Sequence, residues 1–500
     1  MNSTNQPDIL LFFSDQHDGR VMGCAGHPVV STPHLDALAK EGTLFENAYT
    51  SCPLCVPARM SLLTGQLPIH TGVYTNRGSI HPEMPTFLHN LALAGYETVL
   101  CGRMHFEGDD QFHGFTRRIA GDITPTAIGG FEERNRELGP MGPTLTELGC
   151  IHVVGGGNSP TLEYDRYVTA SALEYLSCPH TKPQFIVVGT YGPHFPYVAP
   201  PELYEKYLPL TKLPPTLNLP LSTPDSKRTC DTSPELIRHV QAAYWGMVEF
   251  EDQCVGLVKD AWEQYLNNNR RTGIFAYSSD HGDHAGDRGF YGKQSLFEAA
   301  LRIPMIISGH GVKKNWRLKA PVSILDFAPT FCKLGKANPL PASDGISLIP
   351  ALTSGYEDAR RPVIAEWINL PYQRGTDYGR MARIGEWKLA SYSDYPNEEI
   401  LTRPDLDPWE LNNEIDNYPE IADQLRLAAY EGIEPAKIVA EKNQRDVNYA
   451  IIEAFNRQRG VTNKEIWPVS EAAKSLPDHY ICTSQPIPER FQKTFKKRSI

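Results

Sequence analysis

Residues 52–65 read CPLCVPARMSLLTG and bring a thiol, a proline and a guanidinium into one short run. Pro57 suits the first turn of a helix, where its missing N–H costs nothing. Ala58–Thr64 propagates that helix, and Gly65 can serve as its C-cap. Cys55 is therefore expected just before a helix N-terminus, where free N–H groups and the positive end of the helix dipole favour an anion. Arg59, one turn into the helix, can reach back toward the same place. A nucleophile, a dipole and a cation would then converge on one negatively charged group. Cys52 and Cys55 also form a lone C-x-x-C, which without a second pair says little about zinc or redox chemistry.

Elements must position these groups. Ile9–Phe13 is an apolar run ending at Ser14-Asp15, Phe185–Val188 is another, and Ile274–Tyr277 leads into Ser278-Ser279-Asp280-His281. Such runs fit strands of a mainly parallel sheet buried on both faces. Helical patterns lie between them, at Glu163–Leu176 and at Pro234–Val258 with Ser233 as N-cap. The alternation predicts a doubly wound α/β domain, whose ligands bind beyond the carboxyl ends of the strands. Asp15 and Asp280 sit at two such ends, where a bare carboxylate is costly unless paired or metal-bound. A helix N-cap for Asp15 and a solvated turn for Asp280-His281 are the plainer alternatives. Asp283, His284 and Asp287 are read as supporting or surface residues.

The pattern changes after about residue 362. Met381–Tyr392 alternates around a glycine like a hairpin, Thr402–Asn413 is turn-rich, and Tyr418–Tyr430 has the spacing of an amphipathic helix. Three parts are therefore expected: residues 1–365 as an α/β domain, 366–465 as a smaller α+β domain with an antiparallel sheet, and 466–500 as a tail. The tail's basic end, Lys493–Arg498, is either a solvated arm or one that packs on another subunit of a homo-oligomer.

The formal net charge of −11 argues against a nucleic-acid surface, which needs clustered Lys and Arg. It leaves room for a local cationic pocket and an anionic small molecule. The N-terminal run MNSTNQPDILLFFSDQ has no basic n-region and too short an apolar core for a secretory signal. No stretch approaches the ~20 apolar residues that span a bilayer. Ten cysteines scattered singly read as thiols in a reducing compartment. A cytoplasmic protein with no membrane partner is the expectation.

C-x-P-x-R followed by S-L-L-T-G resembles the signature of type I sulfatases, in the alkaline-phosphatase-like superfamily, with Ala58 where many members have Ser. The resemblance continues along the chain. Asp15 is followed by Gln16, as in the choline-sulfatase and phosphonate-monoester-hydrolase branch, where other members have a second Asp. TPHLDALAKEGTLFENAY at 32–49 is similar to the helix and strand that lead to the nucleophile. CGRMH at 101–105 resembles the G-K-x-H element, with Arg103 in place of Lys. TYGPHFP at 190–196 resembles the loop carrying a catalytic His, here His194. SDHG at 279–282 resembles the second metal-binding turn, with His281 where other branches use Asn. Lys293 follows at the family spacing, ahead of Glu298 and Arg302-Ile303-Pro304. Arg383–Leu389 and Asp407–Asn413 are similar to the family's C-terminal domain.

The resemblance implies an alkaline-phosphatase-like fold and hydrolysis of a sulfate monoester. It implies that Cys55 is oxidised to formylglycine by a separate maturation enzyme. It implies a divalent cation held by Asp15, Asp280, His281 and the oxygen of modified Cys55, with Gln16 contributing its carbonyl or bonding to a ligand. Calcium comes first, and magnesium or manganese also suit the donor set. Arg59, Arg103 and Lys293 are implied as sulfate clamps, His194 as general acid, His105 as base and Asn76 as a sulfate contact. On the plainer reading these are core histidines, surface charges and a turn residue. Arg103 can bind two oxygens at once, but it cannot pass on a proton as Lys can.

CGRMHFEGDDQFHGF resembles choline sulfatases, yet Ala127-Ile128-Gly129-Gly130 stands where that branch tends to have aromatics, and the E-W-I-N run at 366–369 matches only partly. A quaternary ammonium needs an aromatic cage and a carboxylate. A small sulfated carbohydrate is therefore the first expectation. A choline-sulfate-type alkyl sulfate, or a phosphonate monoester or phosphodiester, is the alternative.

Overall fold

A computed structural model describes residues 6–217, 219, 231–368, 378–475, 477 and 479–481. The strands of the large sheet are β1 (Asp8–Asp15), β2 (Gly42–Phe45), β3 (Glu97–Gly102), β4 (Arg117–Ala120), β5 (Gln184–Pro193), β6 (Gly273–Ser279), β7 (Met305–Gly309) and β8 (Trp316–Leu318). They lie in the order β8-β2-β7-β6-β1-β5-β3-β4. Every pairing is parallel except those of β7, which runs against β6 and β2.

Strand β1 shows why its sequence is apolar without alternation. Ile9, Leu11 and Phe13 enter one hydrophobic cluster, while Leu10 and Phe12 enter the cluster on the opposite face. Successive side chains point to opposite sides, so a strand covered on both sides must be apolar throughout. Each such side chain taken from water contributes about 1.5–3 kcal/mol. The first cluster holds Val56, Met60, Leu62 and Leu63 of the helix Cys55–Thr64. The second holds residues of the helices Pro160–Leu176 and Pro234–Asn269.

A separate antiparallel sheet, Val363–Ile368, Tyr378–Ile384, Trp387–Tyr392 and Ile400–Thr402, follows the large domain, with the helix Pro419–Tyr430 packed on it. The expected hairpin turns at Gly385. Buried Glu366 ties this sheet to segments on both sides of the helix Cys55–Thr64. Its backbone N–H donates to Ser51 O at 2.8 Å, and its side chain accepts from the N–H of Ile69 at 2.9 Å.

Several expectations need correction. The helix at Pro234 continues to Asn269, and Ser233 makes no side-chain cap. The helix expected from Glu163 starts at Pro160, where Ser159 accepts from the N–H of Leu162 at 3.3 Å. A helix of 25 residues, Pro435–Arg459, follows the small domain with only Ile438 and Lys442 buried. Its polar composition carries no apolar stripe wide enough to announce it. The chain then returns to the large domain: the N–H of Trp467 donates to Asp122 O at 2.8 Å, and its ring meets Tyr164 edge-on. Strand His479–Ile481 pairs with Val154–Gly156. The basic run Lys493–Arg498 lies outside the described residues, as does Asn369.

Candidate active site

The helix Cys55–Thr64 begins at Cys55 itself, earlier than Pro57 implied, and all ten of its residues are buried. Its N-cap position, Leu54, offers no side-chain acceptor. Asn76 supplies one from a distant loop: its Oδ1 accepts from the N–H of Val56 at 2.9 Å. That bond satisfies one of the donors a helix start leaves open. Gly65, at φ 68°, closes the other end in the left-handed conformation glycine favours.

The sheet delivers the partners at one level. Asp15 at the end of β1 lies in register with Pro193 of β5, and Ser14 with Ser279 of β6. Asp15, Asp280, His281 and Cys55 therefore meet, and one donor atom from each lies within 4.8 Å of the others. Cys55 Sγ is 3.2 Å from His281 Nε2 and 3.9 Å from Asp15 Oδ1. The two carboxylates divide their oxygens. Oδ2 of Asp15 accepts from Arg59 at 2.8 Å and from Arg103 at 2.7 Å, and Oδ2 of Asp280 accepts from Arg59 at 2.9 Å. The Oδ1 atoms turn toward His281 Nε2, at 3.9 Å and 3.6 Å.

Burial alone would raise the Asp15 carboxyl, but the guanidinium groups of Arg103 and Arg59 hold it well below the usual range. Burial and the nearby Asp15 charge push the Cys55 thiol up to about 11. Burial depresses His281, and its Nδ1 donates to Gly282 O at 3.1 Å, leaving Nε2 as a free acceptor. Two carboxylate oxygens, an imidazole lone pair and the side chain at 55 suit a divalent cation. The Gly282 bond is the kind of outer contact that orients a ligating histidine.

Around this cluster stand the other expected residues. Arg103 fans its guanidinium over Asp15, Thr124 Oγ1 at 2.7 Å and His105 Nδ1 at 2.8 Å. Lys293 Nζ lies 2.6 Å from Gln16 Oε1 and 2.7 Å from His194 Nε2. Gln16 thus spends its carbonyl on Lys293, while its amide donates to Asp283. Burial, then the charge of Lys293, keeps His194 well below its ordinary pKa; burial and Arg103 do the same to His105. Gln16 and His105 both take left-handed backbone angles, φ 69° and 57°, an outlier that clusters at working sites.

Comparison with known proteins identifies the family. The sulfatase family model matches residues 7–337. The chain belongs to the sulfatase family. A second model, the C-terminal part of N-sulphoglucosamine sulphohydrolase, matches residues 286–431 of this sulfatase. The choline-sulfatase of Rhizobium meliloti is 32% identical over 460 residues, covering 87% of either chain. A phosphonate monoester hydrolase of Agrobacterium radiobacter has the same fold, with TM-score 0.68, 18% identity and coverage of 88% and 96%. So does a protein solved in complex with its substrate D-glucosamine-2-N,6-O-disulfate, with TM-score 0.68, 19% identity and coverage of 88% and 99%. The fold is alkaline-phosphatase-like, and the protein is a sulfuric ester hydrolase.

Some residues escaped the sequence reading. Asp122, at the end of β4, accepts from the N–H of His105 at 2.9 Å and helps hold Arg103. Asp165 accepts from the N–H groups of Tyr191 at 2.7 Å and Gly192 at 2.9 Å, beneath the loop that carries His194. Asp283, His284 and Asp287 are buried, so the surface reading of them is corrected. Asp122 follows the strand Arg117–Ala120, whose two arginines give no apolar run to mark it, so there was no signal for it. For Asp165, inside an amphipathic helix, there was none either.

Proposed function

We propose that this sulfatase cleaves sulfate monoesters of small carbohydrates, with formylglycine made from Cys55 as nucleophile and a calcium ion held by Asp15, Asp280 and His281. One observation carries the reading: the side chain at 55 sits inside the cation cluster at a helix N-terminus, yet its thiol is pushed up to about 11. With no cation bound, a thiol so high is protonated at neutral pH and nucleophilically poor. That supports conversion by a maturation enzyme to an aldehyde, which hydrates to supply hydroxyl nucleophiles. A bound cation would polarise a sulfate oxygen and acidify a neighbouring hydroxyl.

The chain's own residues do the rest. Arg59 fixes Asp15 and Asp280 by charge-assisted bonds. Arg103 and Lys293 bring positive charge to the side where sulfate charge must be offset. His194 donates from Nδ1 to Phe195 O at 2.9 Å, so its Nε2 accepts from Lys293. Nε2 of His194 thus orients the Lys293 ammonium, which would itself donate the proton that the departing alcohol takes up. His105 Nδ1 accepts from Arg103, which leaves its proton on Nε2. Neutral His105 therefore acts as a hydrogen-bond donor to the anion, in place of the base expected from sequence. Asn76 caps the nucleophile helix through Oδ1 and keeps its amide for a sulfate oxygen.

Residues Ala127-Ile128-Gly129-Gly130 offer no aromatic cage, which favours a sugar over choline. The 32% identity to a choline-sulfatase supports choline sulfate as the second reading. Cys24, Cys52, Cys55, Cys101, Cys178, Cys254 and Cys332 form no disulfide among the described residues, which supports a cytoplasmic setting. No helix among the described residues is long and apolar enough to cross a membrane. Exposed Val447, Ile451, Ile452 and Phe455 on one helix support a homo-oligomer, which sedimentation would test.

The deciding experiment measures sulfate release from sulfated sugars and choline sulfate, beside paired phosphonate and phosphodiester esters, with the mass of the Cys55 peptide read in parallel. Highest kcat/KM on a sugar sulfate is expected, with formylglycine present. Preference for choline sulfate or a phosphonate, or an unmodified Cys55 in active enzyme, overturns the reading.

A further inference from the structure

We propose that a cavity beside Asn76 is a recognition subsite for a second negatively charged group on the substrate, a carboxylate or a further sulfate carried by the sugar that leaves. The proposal rests on the carbohydrate reading above and names the class of sugar.

The cavity, about 380 Å³, lies between the loop 72–79 and the helix Pro435–Arg459. Its floor is tied to the chemistry. Thr75 and Arg77 line it on either side of Asn76, whose Oδ1 holds the N–H of Val56, the residue after the nucleophile. The N–H of Gly78 donates to Glu107 Oε2 at 2.8 Å, and Glu107 lies two residues beyond His105. The hydroxyl of Tyr449, from the helix, donates to the other oxygen of Glu107.

The helix bridges this space. Near its start Ile438 packs with Tyr74. Near its end Asn456 donates to Ile128 O at 3.2 Å, and beyond it Asn463 accepts from the N–H groups of Thr126 and Ala127. These contacts pin it over the segment where a choline site would need aromatics.

The cavity's charge is what selects its ligand. Three cations line it: Arg77, Lys442 and Arg445. Lys442 is 1% exposed and pairs with Asp446 at 2.7 Å. The carboxylate of Glu107 is taken by Gly78 and Tyr449. Among the described residues, Arg77 and Arg445 make no ion pair, although Arg77 rests on the Tyr449 ring at 5.5 Å. Two guanidinium groups that make no ion pair suit bidentate binding of a carboxylate or sulfate, and the rings of Tyr74 and Tyr449 suit a sugar face. The same cations repel a quaternary ammonium.

The test compares wild type with the double variant R77Q/R445Q on two sulfated disaccharides that differ only in a carboxylate on the ring not bearing the ester, and on a third carrying a second sulfate there. Loss of about tenfold or more in kcat/KM on either charged substrate, mainly through KM, with less than about twofold on the neutral one, is expected. The stronger of the two charged arms identifies the carboxylate or the sulfate. Equal losses on all three, or none on any, overturn the subsite. Calorimetry with an unsulfated uronate disaccharide keeps the proposal open to refutation if no sugar sulfate is turned over: binding that R77Q/R445Q abolishes supports the subsite while the carbohydrate-ester reading fails. Binding unchanged by the variant sinks the subsite alone.

Discussion

Two pairs of buried carboxylates flank the loop of His194, and the molecule gives them opposite kinds of partner. In front, Asp15 and Asp280 share the guanidinium of Arg59, and Arg103 adds a second cation to Asp15. Behind, Asp165 and Glu251 are equally buried, and neither makes an ion pair among the described residues. A Cβ on Gly192 would lie 2.6 Å from Asp165 Oδ2 and 3.2 Å from Glu251 Oε2, so both oxygens crowd one glycine. Burial, with the Asp15 charge adding to it, raises Asp165 to about 7, and burial and the Asp165 charge push Glu251 well above its ordinary value. Solvent exclusion is common to both places. The presence of arginine decides whether it yields an anion that can hold a cation or an acid that keeps its proton. On the reading proposed above, the front pair would hold the cation, while the rear pair props the turn Tyr191-Gly192 through the Asp165 carboxylate.

The strongest way to break this contrast is Asp15→Asn. It removes one charge and leaves Arg59 and Arg103 buried with too few partners. Breaking a buried pair from one side costs about 3–5 kcal/mol. Turnover should vanish, and denaturant unfolding should show the loss. A stable variant with unaltered cation affinity would remove Asp15 from the ligand set. Cys55→Ala, by contrast, should abolish turnover and leave the melting temperature within a few degrees, because no ion pair is lost. A Cys55→Ala protein that still turns over would refute the nucleophile.

Arg103→Lys comes next. An ammonium keeps the charge but cannot reach Asp15, Thr124 and His105 together, as the guanidinium does at 2.7, 2.7 and 2.8 Å. Removing one preorganised donor typically costs about 10²–10³ in kcat. A fall in kcat of about a hundredfold is expected, read from initial rates at saturating substrate. An unchanged rate would show that position 103 needs only a charge.

Why the front was legible in sequence and the rear was not follows from the same contrast. Asp15 and Asp280 end continuous apolar runs, where a charge stands out against its surroundings. Cys55, Pro57 and Arg59 are close in sequence, so helix spacing alone brings them together. Asp165 and Glu251 sit on two different helices, and each looks like one more polar residue on an amphipathic surface. Only the packing of those helices under β5 buries them. The Pro435–Arg459 helix was missed for a related reason: it bridges between domains and buries little, so apolar periodicity is weak there. Gln16 was recognised by position, but its bonds to Lys293 and Asp283 depend on a left-handed backbone turn that no local pattern specified.

The smallest expected effect is the sharpest test of the rear pair. If Glu251 keeps its proton, Glu251→Gln replaces one neutral group with another and should change stability by no more than about 1 kcal/mol. The pH dependence supplies the sign. Burial raises the Asp165 carboxyl in the folded protein to about 7, from an ordinary value of 3.8. Between those values the folded protein binds more protons than the unfolded chain, so this group's contribution is full below about 4 and is lost as pH rises through about 7. Asp15 behaves oppositely: its contribution is present above 3.8 and lost only in stronger acid. Asp165→Asn should therefore flatten the decline of the melting temperature between about pH 4 and 7 and leave the acid limb unchanged. A wild type whose stability climbs across that window, with Asp165→Asn following it, would show that the rear carboxylates are ionised and that a cation reaches them.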